Sequence, residues 1–229
     1  MGQRPEQFWG WPGWTHLRYF AFLAIAQTLW FVFIYGGADF LTARRTLRLR
    51  VHLELEEELP FVPAAVSIYM SIYILFWIAP FVLRIRRDLR ALVVTHAVVT
   101  ACAGICFLLF PAERDFAIPR DLGVSADLFR FADWLNLDYN QVPSLHVALG
   151  TACVAVFADR AGRSGRIVLW SWAIGVCVSA VLTYQHHILD VLTGFLLGII
   201  AVRIVYRRLT ASDEPAIEDL RPTARRAQR

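Results

Sequence analysis

The chain has 229 residues, of which 57% are hydrophobic and 18% charged, and its mean hydropathy is +0.48. Soluble domains are usually about 45–50% apolar, so this composition excludes an ordinary soluble fold and predicts a membrane protein. The formal net charge is +4, and all 23 basic residues are arginine. Because these arginines lie between the apolar segments instead of forming one stripe, they do not indicate nucleic-acid binding.

The N-terminal segment, residues 1–16, is rich in tryptophan and glycine. Trp9, Trp11 and Trp14 suit the headgroup region of a bilayer, where tryptophan is enriched. No small-residue cleavage site follows the first apolar segment, so the sequence predicts an interfacial segment and not a cleaved signal peptide.

Six apolar segments follow and form one predicted membrane domain over residues 17–206. A helix needs about 20 residues to cross the hydrocarbon core of a bilayer, and the fourth and sixth segments are shorter than that. The segments are 17–37, 61–83, 91–110, 143–159, 167–184 and 190–206. We therefore expect an all-α integral membrane bundle of about six transmembrane helices, followed by a polar tail over residues 207–229.

The distribution of arginine predicts the orientation of this bundle. With the N-terminus in the cytoplasm, 15 arginines lie on cytoplasmic segments and seven on outer segments, while Arg203 lies at the inner end of the last span. The positive-inside rule therefore places both termini in the cytoplasm.

Two of the outer segments that result are long. Residues 47–56 alternate apolar and charged side chains, which fits either an extended or an interfacial segment. Residues 111–142 form the longest connection, and long connections are often functional. Within it, Ser125 is placed to cap a short helix with Leu128, Phe131 and Leu135 on one face.

The first of two histidine motifs opens the fourth span. Residues 140–146 read Asn-Gln-Val-Pro-Ser-Leu-His. Pro143 suits the first turn of a helix, and the free N–H groups of such a turn bind anions such as phosphate. We expect Ser144 and His146 on this turn.

The second motif opens the sixth span, where residues 185–190 read Gln-His-His-Ile-Leu-Asp. His186 and Asp190 are four residues apart, so on a helix they share a face and can touch. His146 and His186 are 40 positions apart, enough for two helices that cross the membrane and return. Both histidines are therefore expected at one membrane face, where ionisable side chains usually mark function.

Together the two motifs resemble the second and third motifs of the type 2 phosphatidic acid phosphatase (PAP2) superfamily, and the resemblance covers roughly residues 60–206. The Asn-Gln-x-Pro-Ser-Leu-His form is similar to that of the bacterial branch that resembles inositolphosphoryl-ceramide synthases. The resemblance implies a membrane enzyme that acts on a lipid phosphate in the bilayer, with no cofactor and no metal.

Roles for the motif residues follow from this resemblance. His186 is implied as the nucleophile that forms a phosphohistidine, and Asp190 as the group that orients its imidazole. His146 is implied as the acid that protonates the leaving alkoxide. Ser144 is expected to hold phosphoryl oxygens, and His187 to pack or to support the site.

The sequence departs from the family at two phosphate-binding positions. The first family motif has a lysine, six residues and then Arg-Pro, and here Glu113 and Arg120 occupy the positions of the lysine and the arginine. Ala180 stands where the third motif has arginine. A phosphoryl transition state needs cations. Arg120 and Arg114 are therefore the candidate phosphate-binding residues, with Arg120 preferred because it keeps the family register.

Three functions remain open at this point. The first is a lipid-phosphate phosphatase at the outer face of a bacterial inner membrane. The bacterial origin is inferred from the use of arginine in place of lysine, which is typical of a GC-rich genome. The second is a phosphotransferase that moves a phospho-head group between lipid and alcohol acceptors. The third is a non-catalytic scaffold or transporter with a relic site.

A different chemistry, a metal site, is also possible from the residue types alone, because imidazole and carboxylate ligands suit zinc. The resemblance disfavours it. Its ligands are His146, His186, His187 and Asp190. Other polar residues are expected to be structural, with no partners visible in the sequence. They are His16, His52 and His96, and the acidic run Glu54, Glu56, Glu57 and Glu58, which we interpret as a solvated face.

Overall fold

The computed structural model describes residues 8–112, 114–116 and 118–211. Within them no strand is present, and one isolated parallel bridge pairs Leu49 with Ala112. The predicted all-α class is thereby confirmed. Most of the predicted cytoplasmic tail, and Glu113 in the first-motif register, lie outside the described residues.

Seven α-helices make up this part of the chain, some of them with a short π or 3-10 stretch. They are α1 (Trp14–Thr42), α2 (Pro63–Val82), α3 (Arg86–Leu109), α4 (Ala126–Leu135), α5 (Leu145–Ala158), α6 (Arg163–Leu182) and α7 (Ile188–Ala211). Five of them are long and apolar enough to cross a membrane: α1, α2, α3, α6 and α7. The chain is a multi-pass membrane protein, and the predicted sixth crossing depends on α5.

Helix α5 lies in the middle of the bundle and packs against α2, α3, α6 and α7. It has 14 residues, about 21 Å of helix, against about 30 Å for the hydrocarbon core. Twelve of these residues are buried, so protein and not lipid surrounds the helix. A sixth crossing through α5 therefore stays a prediction.

Two glycines on α7 allow this helix to approach the backbone of α5. A Cβ atom on Gly194 would lie 2.4 Å from the carbonyl oxygen of Ser144, and one on Gly198 would lie 2.5 Å from that of Ala148. Small residues four apart commonly permit such contacts between membrane helices. The close approach brings the start of α7 against the start of α5, where the two histidine motifs lie.

The opposite end of the bundle holds the described parts of both termini. Near the N-terminus, Nε2 of His16 donates to the carbonyl oxygen of Leu83 at 2.9 Å. Near the end of α7, the Tyr206 hydroxyl lies 2.7 Å from Nη2 of Arg160, which also reaches Oδ2 of Asp88 at 2.8 Å. The described parts of both termini thus lie at the end away from the motifs, and the side of the membrane that each end faces stays a prediction.

The segment over residues 47–56 carries its leucines outward and several polar side chains inward. Leu47, Leu49, Leu53 and Leu55 are exposed. In contrast, the Arg48 guanidinium lies 4.3 Å from the ring of Tyr139, and Nδ1 of His52 lies 3.2 Å from Oδ2 of Asp115. Arg50 and Glu54 of the same segment are exposed as well, so the segment presents both apolar and charged side chains on its surface.

Helix α4 begins where the sequence predicts, but it buries a different face. Its buried residues are Phe129 and Ala132, whereas Leu128 and Phe131 are exposed. Ser125 occupies the N-cap position without a capping hydrogen bond. The predicted short helix is present, but the bundle packs against Phe129 and Ala132 and leaves Leu128 and Phe131 exposed.

Candidate functional site

The structure brings the two histidine motifs together at one end of the bundle. The backbone N–H of Ser144 donates to the carbonyl oxygen of Asp190 at 2.9 Å, which joins the starts of α5 and α7. A tyrosine ring from α2, Tyr69, stacks on His146 with ring centroids 3.8 Å apart and lies 6.4 Å from the ring of His186. Both imidazoles therefore border one aromatic side chain.

Ser144 caps helix α5. Its backbone is extended, and its Oγ accepts a hydrogen bond from the N–H of Val147 at 3.3 Å, as a serine N-cap does. Pro143 precedes the cap, so it lies outside the first helical turn in which the sequence places it. The expected proline position was wrong, because the capping Ser144 makes the helix start at Leu145, two residues after Pro143.

A single hydrogen bond orients His146. Its Nε2 lies 2.7 Å from the carbonyl oxygen of Tyr69, close to the point where α2 is interrupted at Ser71. A carbonyl oxygen only accepts, so Nε2 must carry the proton. The other ring nitrogen, Nδ1, is then the one left for proton transfer.

The turn that presents His186 is held by an unusual backbone conformation. Helix α6 ends at Leu182, and two residues later Tyr184 has a φ of 55°, in the left-handed region that bulky residues seldom adopt. The N–H groups of Gln185 and His186 both donate to the carbonyl oxygen of Ala180 at 3.1 Å. The Tyr184 ring stacks on Phe116 at 4.4 Å between centroids, which stabilises the turn.

Asp190 faces the imidazole of His186 from the first turn of α7. Its Oδ2 lies 3.6 Å from Nδ1 of His186, slightly longer than a hydrogen bond, and accepts from the backbone N–H of His187 at 2.9 Å. Asp190 is fully buried. Since Nδ1 faces the carboxylate, Nε2 of His186 is the nitrogen left for attack.

Glu56 is a site residue that the sequence interpretation missed. The expectation of a solvated side chain was wrong, because Glu56 is 0% exposed. Its Oε2 lies 2.6 Å from Nδ1 of His187, and its Oε1 accepts from the N–H of Ile188 at 2.9 Å. No local signal identifies this contact, because Glu56 and His187 are 131 positions apart.

The two candidate arginines occupy different surroundings. Nη1 of Arg114 lies 2.7 Å from Oδ1 of Asp133 and 3.3 Å from Oε1 of Gln185, next to His186. Arg120 is exposed, and within the described residues it forms no hydrogen bond or ion pair. Ala180 is fully buried between helices, so side-chain packing fills the place of the family's third-motif arginine.

Several buried polar atoms of the motifs have no hydrogen-bond partner among the described residues. They are Oδ1 of Asn140, Oε1 of Gln141, Nε2 of Gln185, Nδ1 of His186 and Oδ1 of Asp190. Unpaired buried polar atoms are costly, and those of both motifs are available for hydrogen bonds to a polar ligand.

The remaining histidines have partners of their own. Nε2 of His96 lies 3.6 Å from Sγ of Cys153 between α3 and α5, while His16 and His52 make the contacts given above. Over residues 8–112, 114–116 and 118–211, no group of three or more His, Cys, Asp or Glu side chains is arranged to hold a metal ion. Both ring nitrogens of His187 are already engaged, since Nε2 accepts from the N–H of Asp115 at 3.5 Å.

Comparison with known proteins identifies a family for this chain. The model of the PAP2 superfamily matches residues 95–213, just over half of the sequence and both histidine motifs. No curated protein and no solved structure matches the chain. The match shows that the chain belongs to the PAP2 superfamily.

Proposed function

We propose that this member of the PAP2 superfamily is a membrane lipid-phosphate phosphatase that works through a phosphohistidine intermediate. The observation that supports this most directly is the placement of His146 and His186 against one tyrosine ring, with Asp190 behind His186. A nucleophile, its orienting carboxylate and an acid are the groups that such a reaction needs.

In the first step, Nε2 of His186 attacks the phosphorus atom. A P–N bond forms while the P–O bond to the lipid alkoxide breaks, and Asp190 stabilises the positive charge that develops on the imidazole. The imidazolium form of His146 gives a proton from Nδ1 to the leaving oxygen. Its Nε2–H stays bonded to the carbonyl oxygen of Tyr69 throughout, which fixes the ring.

In the second step, water attacks the phosphorus atom of the phosphohistidine. His146, now neutral, takes a proton from that water at Nδ1, and the P–N bond breaks. Inorganic phosphate leaves, and both histidines return to their starting protonation states. The reaction therefore balances with water as the only co-substrate.

Arg114 is the cation that the geometry supports for binding phosphoryl oxygens. Its contact with Gln185 keeps the guanidinium beside the second motif, and its planar fork suits two oxygens at once. Ser144 adds a hydroxyl proton, since its oxygen accepts from Val147 and its hydrogen is free to point elsewhere. Arg120 remains a candidate from the family register.

We place the site at the outer face of a bacterial inner membrane. This proposal is supported by the excess of arginine at the other end of the bundle, where the described parts of both termini also lie. A substrate embedded in the outer leaflet then reaches the motifs without crossing the bilayer.

A second candidate, transfer of the phosphoryl group to an alcohol, is favoured by one observation. Asn140, Gln141 and Gln185 each keep one side-chain polar atom without a partner in the described structure. Amide groups of this kind are suited to binding hydroxyl groups. An alcohol held there would replace water in the second step, as in the inositolphosphoryl-ceramide-synthase-like branch that the first motif resembles.

Phosphate release from detergent-solubilised protein tests these proposals. The substrates are phosphatidic acid, a polyprenyl phosphate and a sphingoid phosphate, each with and without an added polyol acceptor. We expect phosphate release from at least one lipid, and a new phosphorylated polyol if transfer occurs. Absence of turnover on every lipid, with measurable transport or partner binding, would instead support a scaffold or transporter.

Variants of the two histidines test the assignment of roles. His186→Ala is expected to abolish turnover, because a nucleophile is needed whatever group leaves. His146→Ala is expected to lose about 10²–10⁴-fold on alkyl phosphates and to recover on substrates with acidic leaving groups. Equal losses of His146→Ala across leaving groups would contradict its role as the acid.

A further inference from the structure

A buried carboxylate outside both motifs contacts the second motif directly. Glu56 lies in a 3-10 turn over Glu54–Glu58, ahead of α2, and is the one acidic side chain of that turn that is buried. Its two oxygens accept from two successive residues, His187 and Ile188. The proposed reaction assigns no step to Glu56, so its burial needs a separate explanation.

The contact satisfies the first turn of helix α7. The first N–H groups of a helix have no partner within the helix, and the dipole favours a negative charge beside them. Glu56 supplies both a hydrogen-bond acceptor and a negative charge. Its Oε1 accepts from the Ile188 N–H, and its Oε2 accepts from the His187 imidazole. Two bonds to adjacent residues fix both the position and the rotation of the turn.

The same turn carries the groups that face His186. The backbone N–H of His187 donates to Oδ2 of Asp190, and that oxygen is the atom 3.6 Å from Nδ1 of His186. A displacement of the His187 backbone therefore moves the carboxylate relative to the imidazole. Glu56, through His187, is connected to the predicted nucleophile by a continuous series of short contacts.

His187 itself acts as a fixed link in this series and not as a proton carrier. Nδ1 donates to Glu56, and Nε2 accepts from the backbone N–H of Asp115, so the imidazole is neutral with both nitrogens engaged. The ring of Phe116 lies against it with centroids 4.5 Å apart, and His187 is 0% exposed. Nothing in this arrangement leaves His187 free to reach a substrate.

We infer that Glu56 is a positioning residue, which clamps His187 and the first turn of α7 so that Asp190 faces Nδ1 of His186. The inference rests on the proposed function, since it concerns the same nucleophile. It gives the segment ahead of α2 a role in catalysis at His186, which lies 130 positions later in the chain.

The test compares Glu56→Gln with Glu58→Gln, a matched control in the same turn whose side chain is exposed. An amide keeps the size of the side chain but offers one acceptor oxygen to two donors. We expect kcat per folded protein to fall on the order of tenfold to a hundredfold for Glu56→Gln, with KM nearly unchanged, because misplacement affects chemistry more than binding. Glu58→Gln is expected to match the wild type, and Glu56→Asp to recover part of the loss.

A double-variant experiment tests the route through His187. If Glu56 acts through that side chain, Glu56→Gln combined with His187→Phe loses little more kcat than the worse single variant. Multiplied losses would contradict this route, and a lower melting temperature with unchanged kcat would reduce Glu56 to a helix cap. Full activity of His186→Ala would overturn the proposed function itself, an outcome distinct from either result for Glu56.

Discussion

At the scale of single residues, the family register and the tertiary contacts favour different arginines. Arg120 occupies the sequence position of the family's arginine, whereas Arg114 contacts Gln185 and the Asp133 carboxylate beside the motifs. A phosphate-binding arginine must reach the substrate, and its distance from the site depends on the path of the 111–142 connection. The sequence spacing fixes the order of these residues but not that path.

Replacement of each arginine decides between them. Arg114→Ala is expected to lower kcat/KM roughly tenfold to a hundredfold, because charged hydrogen bonds contribute about 1.5–3 kcal/mol. Arg114→Lys keeps the charge but not the planar fork, so we expect it to recover only part of the activity. Turnover and melting temperature are measured together in detergent. A larger loss in Arg120→Ala than in Arg114→Ala would show that the family register, and not the contact with Gln185, identifies the phosphate ligand.

At the scale of elements, the packing of α7 on α5 sets the distance between the two motifs. The two helices meet backbone to backbone at Gly194 and Gly198, and the Ser144–Asp190 hydrogen bond lies at the end of this contact. Short α5 is surrounded by protein on nearly all sides, so the starts of the two helices are held by packing and not by lipid. The geometry of the site is therefore a property of this helix pair.

A methyl group at the contact should disturb both stability and activity. In Gly194→Ala, the added Cβ would lie 2.4 Å from the Ser144 carbonyl oxygen, so the helices must separate. Overpacking typically costs about 1–3 kcal/mol, and the melting temperature and kcat should fall together. The control is Gly175→Ala on α6, where the nearest atom is a side-chain carbon at an ordinary 3.6 Å. Wild-type activity in Gly194→Ala would mean that the helix contact does not position the motifs.

At the scale of the whole molecule, the described parts of the two termini and the motifs lie at opposite ends of the bundle. The contacts of His16 with Leu83 and of Arg160 with Tyr206 place the described terminal segments at one end. The arginine-rich turns after α2 and α5 lie there as well. From the positive-inside rule we predict that this end faces the cytoplasm and that the motifs lie on the outer side.

Cysteine labelling tests this orientation in whole cells. Single cysteines at Asp121 and Leu189, both exposed near the motifs, are expected to react with an impermeant thiol reagent when the four native cysteines are replaced. A cysteine at Gly162, exposed in the turn after α5, should react only after lysis. The reverse pattern would place the motifs in the cytoplasm and move the substrate to the inner leaflet.

The sequence by itself determined the membrane class, the helical fold and the two motifs, because these depend on properties of short windows. Apolar segments identify helices that cross a bilayer wherever their neighbours lie. The predicted approach of His186 to Asp190 is present at 3.6 Å, but His186 lies in the turn before α7 and not on a shared helix face. The return of His146 and His186 to one end was predictable as well. The chain runs away from that end in one helix and comes back in the next, and 40 positions are enough for both.

Only the tertiary structure decided which polar side chains complete the site. In the sequence, Glu56 belongs to an acidic run that predicts a solvated face, and only its contact with the start of α7 identifies it as buried. Arg114 contacts Gln185 because of the path that the long 111–142 connection takes. The buried position of α5 is likewise set by four neighbouring helices and not by its own composition. These contacts join residues that are more than 70 positions apart in the sequence. They depend on how the helices pack, and no local sequence pattern predicts that packing.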